Sequence, residues 1–136
     1  VVVELSGAAE PRQAAAALEP LEESGAHLAR TVTVVDSPAF AADWVAEIPA
    51  SRAGERPADA EGGAERLSTL LAEQLEGADL VLLNKADAAS AAELSRARAV
   101  ARALNETAEL LVAEYGRVAP EVVLPQSLFE PSARRA

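Results

Sequence analysis

An apolar run of strand length, Leu80-Val81-Leu82-Leu83, ends in Asn84-Lys85-Ala86-Asp87, whose residue types suit one edge of a guanine base. The Asp87 carboxylate can accept two hydrogen bonds at once, from the ring N–H and the exocyclic amine of guanine. Adenine offers no such donor pair there, so acceptors would face acceptors and that base is rejected. The Asn84 amide suits the opposite edge of the base and the neighbouring loop. The Lys85 stem can lie along the base plane, methylenes on the ring and charge outward. Lys85 is the only lysine of the chain, and Asn84 is one of two asparagines. A polar turn after a buried strand is the competing use of four such letters. The strand before them tips the balance, because open parallel sheets bind ligands at their carboxyl ends.

A second constellation opens the chain. Glu4 follows the apolar Val1-Val2-Val3, and Gly7 comes three residues later. An acidic residue at a strand end can hold the water shell of a Mg²⁺ on nucleotide phosphates. A glycine just after it can offer its backbone N–H to a terminal phosphate with no side chain in the way. Such a loop senses whether the γ-phosphate is present. Alone, Glu4 and Gly7 read as a strand end and a turn; beside Asn84-Lys85-Ala86-Asp87 in one sheet they read as a phosphate sensor. On this reading Glu4 is the catalytic and Mg-associated residue, and Gly7, Asn84, Lys85 and Asp87 bind the nucleotide.

The elements that must position these residues follow from local pattern. Val1 to Val3 reads as a short buried strand. Pro11 can start a helix over the alanine-rich stretch to Leu18, with Pro20 ending or interrupting it and Gly25 closing a further turn. Thr31 to Val35 is β-branched and predicts the next strand, closing at Asp36. Ser37-Pro38 caps a short helix over about Ala39 to Glu47, with Phe40 and Trp44 packing together on one face. Residues 48–63 hold two prolines and three glycines among charges and predict a mobile loop. Ala64 to Glu76 predicts a helix with Leu67, Leu70, Leu71 and Leu75 on one stripe, stopped by Gly77. Ser90 with Glu93 is a capping-box pair opening a helix to about Leu104, where Asn105 breaks it. Ala108 to Glu114 predicts the last strand, and a short helix follows Pro120. The order is β-α-β-(α)-loop-α-β-α-β, an α/β fold with a parallel sheet and helices on both faces.

Composition sets the outer limits. The chain has 136 residues, enough for one domain with one core. Half of it is hydrophobic and only 3% aromatic, an aliphatic core suited to parallel strands under helices. A net charge of −10 argues against sequence-independent binding to nucleic acid or anionic membrane. There is no cysteine, hence no disulfide and no thiolate metal site, and the single His27 reads as a surface-turn residue. No apolar run reaches membrane-spanning length and no signal peptide opens the chain. A cytoplasmic location is expected. The chain begins in an apparent strand and contains no methionine, which we read as a piece of a longer protein.

Four motifs in order resemble one family. Val-Val-Val-Glu-Leu-Ser-Gly-Ala-Ala-Glu-Pro is similar to the Glu-x-Ser-Gly-x-x-x-Pro signature of the CobW-type GTPases, related to the HypB and UreG metallochaperones. Thr31 to Phe40 is similar to that family's next strand and aspartate. Leu71 to Asp87 resembles its Glu-Gln-x-x-x-Ala-Asp and Asn-Lys-x-Asp run. Leu104-Asn105-Glu106-Thr107-Ala108 resembles its Leu-Asn-Pro-x-Ala, with Glu106 in place of proline. The resemblance implies a partial P-loop NTPase domain, lacking the phosphate loop: residues 1–117 the sheet and helices, 118–136 a C-terminal extension. It implies GTP or GDP with Mg as cofactor, and a role as a zinc or cobalt chaperone or insertase serving a client metalloprotein. The family's phosphate loop and Cys-x-Cys-Cys metal motif lie ahead of the Glu-x-Ser-Gly strand and do not occur in this sequence. Zinc or cobalt would therefore need residues outside it. Isolated, the chain is expected to lack GTPase activity and to be prone to self-association. The alternative is an inactive α/β binding or scaffold module from the same family.

Overall fold

The computed structural model of the chain describes residues 1–25, 28–40, 42 and 61–124. Helix α1 spans Pro11–Glu22 and strand β1 Val32–Asp36. Residues 37–40 and 42 are helical. Helix α2 spans Glu61–Glu76, β2 Leu80–Asn84, α3 Ala91–Leu104, β3 Glu109–Val112 and the short α4 Pro120–Val123. His27, Trp44, residues 48–60 and residues 125–136 lie outside the described residues. Among those described, no helix is long and apolar enough to cross a membrane.

The three strands form one parallel sheet in the order β1-β2-β3. The register runs from Val32 beside Leu80 to Asp36 beside Asn84, and from Leu80 beside Glu109 to Leu83 beside Val112. Strand β2 is central and its Leu80, Val81, Leu82 and Leu83 are all buried, as a parallel strand covered on both faces requires. Val81 and Leu83 share a core with Val35, Phe40, Leu75 and Ala78, and with Ala97 and Ala101 of α3. Leu71 of α2 and Leu94 of α3 pack against it. Alanine on the inner stripe of α3 leaves room for the β2 leucines.

Asn105 joins the layers. Its Nδ2 donates to the carbonyls of Leu75 (2.9 Å), Glu76 (3.2 Å) and Ala78 (2.9 Å), where α2 turns into β2. Its Oδ1 accepts from the backbone N–H of Thr107 and of Ala108 and from the Thr107 hydroxyl. The residue that breaks α3 thus also supplies the orphan carbonyls at the end of α2 with a donor.

Three expectations are corrected. Val1 to Val3 form no strand and are exposed. A strand exists only through a neighbour's ladder bonds, and among the described residues none lies beside them. Among the described residues the sheet accordingly has three strands where the sequence pattern suggests four. Pro20 sits inside α1 and does not end it; the proline removes one hydrogen bond but leaves the flanking turns intact. Helix α2 starts at Glu61, through Gly62 and Gly63, so the last three residues assigned to the loop are helical.

Candidate nucleotide-binding site

The carboxyl end of β2 places Asn84, and the chain turns sharply after it. Lys85 has φ +59°, the left-handed region that a side chain disfavours by about 1–2 kcal/mol. Strain of this kind persists where the surroundings fix it, and it clusters at functional sites. Here the turn is held from both sides. Ala86 N–H donates to the Ala113 carbonyl (3.2 Å), and Ala113 N–H to that of Leu83 (3.0 Å). Ala88 and Ala89 N–H both return to the Lys85 carbonyl. Beyond the turn, Ser90 and Glu93 close a full capping box that starts α3.

Each side chain of the motif has a definite position. Asn84 Oδ1 accepts from Gly116 N–H at 2.8 Å, which pins the loop after β3 to the end of β2. That is the loop contact expected of Asn84. Lys85 Nζ donates to Asp36 Oδ2 at 2.5 Å, an ion pair between neighbouring strand ends. The hydrogen bond and charge of Lys85 lower the Asp36 pKa, and the hydrogen bond to Asp36 raises that of Lys85. Asp36 Oδ1 meanwhile accepts from Ala39 N–H at 3.2 Å, so Asp36, rather than Ser37, caps the helical turn that follows. The Asp87 carboxylate is exposed, and its charge raises the Tyr115 phenol pKa, with Glu114 adding to the effect.

Glu4 and Gly7 lie on the exposed segment before α1. Among the described residues no hydrogen bond or ion pair joins them to the 84–87 turn. Gly7 is tied to α2 instead: Gln74 Nε2 donates to the carbonyls of Gly7 and Ala9, both at 3.0 Å. The Gln74 carbonyl accepts from the Thr33 hydroxyl of β1 at 2.7 Å, so the Gly7 turn reaches the sheet through one residue. A Cβ at Gly7 would meet nothing within 4 Å, and its backbone does not require glycine. The glycine has no packing duty inside the chain.

Sequence reasoning passes over three residues. Asp36 reads there as the end of a strand; its register opposite Asn84 becomes visible only once the strands are aligned. Gln74 falls within a family-like motif that gives it no role. Tyr115 looks like a turn residue and carries no signal of its own. Among the described residues, no group of three or more His, Cys, Asp or Glu could hold a metal ion.

A parallel sheet with helical crossovers, ending at its central strand in Asn-Lys-x-Asp, is the architecture of an α/β nucleotide-binding domain of P-loop NTPase type. The chain belongs to the CobW/HypB/UreG family, whose nucleotide-binding domain matches residues 1–112. It is 35% identical over 127 residues to the zinc chaperone CobW of Pseudomonas aeruginosa. That match covers 91% of this chain but 34% of the relative, so the chain spans about a third of that protein's length. No solved structure matches the chain significantly.

Proposed function

We propose that this chain is the guanine-nucleotide-binding portion of a CobW-type GTPase that acts as a metal chaperone or insertase. The observation that carries the reading is the turn itself. Asn84, Lys85 and Asp87 share one strained turn at the carboxyl end of the central strand, with Asn84 holding the adjacent loop and the Asp87 carboxylate exposed. Asp87 reads the guanine N–H and amine, and Asn84 keeps the two loops at the spacing a base needs. Lys85, fixed to Asp36, lends its methylenes to the base rather than its charge to phosphate.

Glu4 would hold a nucleotide-bound Mg²⁺ through water, and Gly7 would offer its N–H to the terminal phosphate. The fit for the metal is partial. Glu4 is an exposed carboxylate with no acidic cluster around it among the described residues, so it would supply one outer ligand and the nucleotide the rest. When bound, the ion neutralises charge on the phosphates. The chain's own share includes positioning the Gly7 turn, which Gln74 does from α2 through the carbonyls of Gly7 and Ala9. Zinc is suggested by the relative's name, and zinc or cobalt would be held by residues outside this chain and passed to a client metalloprotein.

Base selectivity tests the reading in the full-length protein. Asp87→Asn sets a donor amide against the donors of guanine. The loss should be roughly 2–4 kcal/mol, because bonds to a carboxylate are charge-assisted. GTP affinity should then fall by roughly thirty-fold or more while xanthosine triphosphate affinity rises, since xanthine carries a carbonyl where guanine carries the amine. Equal GTP binding by wild type and mutant would remove the guanine assignment.

A further inference from the structure

The turn that carries Gly7 leaves one amide over. Ala9 N–H donates to the Ser6 carbonyl (2.8 Å) and Ala8 N–H to the Ser6 hydroxyl (3.3 Å). Among the described residues the Gly7 N–H has no partner. The Ser6 carbonyl points into the turn, and the peptide that follows it is planar and trans, so the Gly7 N–H points out of the turn. Support comes from α2. Gln74 Nε2 donates to the carbonyls of Gly7 and Ala9, both at 3.0 Å, so one side-chain amide holds the turn at two points. The base of that side chain is itself fixed. The Gln74 carbonyl accepts from the Thr33 hydroxyl (2.7 Å), and Leu75, next in α2, is buried in the core with its carbonyl on Asn105 Nδ2 (2.9 Å).

We propose that Gln74 is the positioning residue for discrimination between GTP and GDP, because it holds the turn of residues 6–9 so that the free Gly7 N–H is offered to a terminal phosphate. The inference rests on the reading of Gly7 as the amide that meets that phosphate. Gln74 acts through the turn and does not itself touch the nucleotide. A loop that must be ordered at the moment of binding loses conformational entropy there, and one already held loses less. Only GTP brings a phosphate to this amide, so the benefit of the held turn falls on GTP and not on GDP. The chemistry required of the side chain is also definite. Both of its partners are carbonyls, so it must donate; a carboxylate of the same shape only accepts and would repel both.

The test is nucleotide binding by the full-length protein, with a non-hydrolysable GTP analogue and Mg²⁺ set against GDP. Gln74→Met removes the donor without adding charge. Gln74→Glu keeps the shape and reverses the sense of the hydrogen bonds. Both should bind the analogue about five-fold or more weaker, the worth of two hydrogen bonds that order one turn, and bind GDP within about two-fold of wild type. Gly7→Pro deletes the free N–H alone: proline suits the second position of a turn, and a Cβ there meets nothing within 4 Å. It should show the same selective loss, and Gln74→Met added to it should weaken the analogue no further. A Gln74 variant that binds the analogue as wild type does, or that weakens both nucleotides equally, overturns the proposal, as does a fully additive loss in the double variant. If Gly7→Pro binds the analogue as wild type does, or wild type binds neither nucleotide, the phosphate reading of Gly7 falls and takes the proposal with it. If Gly7→Pro shows the selective loss and the Gln74 variants do not, only the positioning role falls.

Discussion

Asn105 uses both polar atoms of its side chain, Nδ2 on three backbone carbonyls and Oδ1 on two backbone N–H groups and the Thr107 hydroxyl. Removing it takes this donor from the carbonyls of Glu76 and Ala78 and from that of Leu75, which keeps the Ala78 N–H. Asn105→Ala should therefore cost roughly 2–4 kcal/mol, read as a lower denaturation midpoint at unchanged slope. Gly7 makes the opposite case. Since a Cβ there meets nothing, Gly7→Ala should leave the melting temperature unchanged while weakening discrimination between GTP and GDP in the full-length protein. A melting loss would mean the glycine serves the fold. These two residues also mark what a sequence discloses at this scale. The chemistry proposed for Asn84, Lys85 and Asp87 is argued from residue type alone. The pairing of Asp36 with Lys85 could not be read, because it arises from which strand ends the sheet brings side by side.

Local signals decide elements when they are complete within a few residues. The cap of α3 is one: Ser90 Oγ accepts from Glu93 N–H, and the Glu93 carboxylate accepts from Ser90 N–H at 2.7 Å. The helix start was legible for that reason, as was β2 from its unbroken apolar run. Val1 to Val3 misled because an apolar triplet becomes a strand only through a partner. The start of α2 misled because Gly62 and Gly63 disfavour a helix on propensity alone. Ser90→Ala should cost about 1 kcal/mol. The cap is also pH-dependent. The bonds from Ser90 lower the Glu93 pKa below its ordinary 4.5, so the folded state favours the carboxylate. This contribution is present above pH 4.5 and is lost as pH falls through the depressed value. Glu93→Gln should flatten that part of the acid stability curve. Asp36 adds a loss in the same direction, its carboxylate being held by Lys85. Lys85 contributes at the other end, stabilising below its ordinary 10.5 and losing that as pH rises through its raised value.

Two properties belong to the whole molecule. Among the described residues β1 is an outer strand, with Val34 61% exposed, and Val1, Val2, Val3 and Leu5 are exposed as well. An uncovered strand edge and apolar residues near a terminus favour pairing between chains. Sedimentation of the 136-residue chain should show association that grows with concentration, reduced by Val34→Lys. A monomer at every concentration would contradict this. The chain alone should also turn over no GTP. Phosphoryl transfer depends on groups positioned around the phosphates, and its only lysine is paired with Asp36. Sustained turnover by contaminant-free chain would refute it.

The strands β1, β2 and β3 stand side by side in the order in which they are synthesised. Each can dock on its predecessor as it leaves the ribosome, with no gap reserved for a later arrival. The fastener at the α2–β2 corner comes late, because the three carbonyls at 75, 76 and 78 wait for the amide of residue 105. Until Asn105 emerges, the first two strands can meet but their corner stays loose. A released chain ending at Leu104 should lack the amide protection at this corner that one ending at Val112 acquires, so the order of folding hangs on the position of one asparagine.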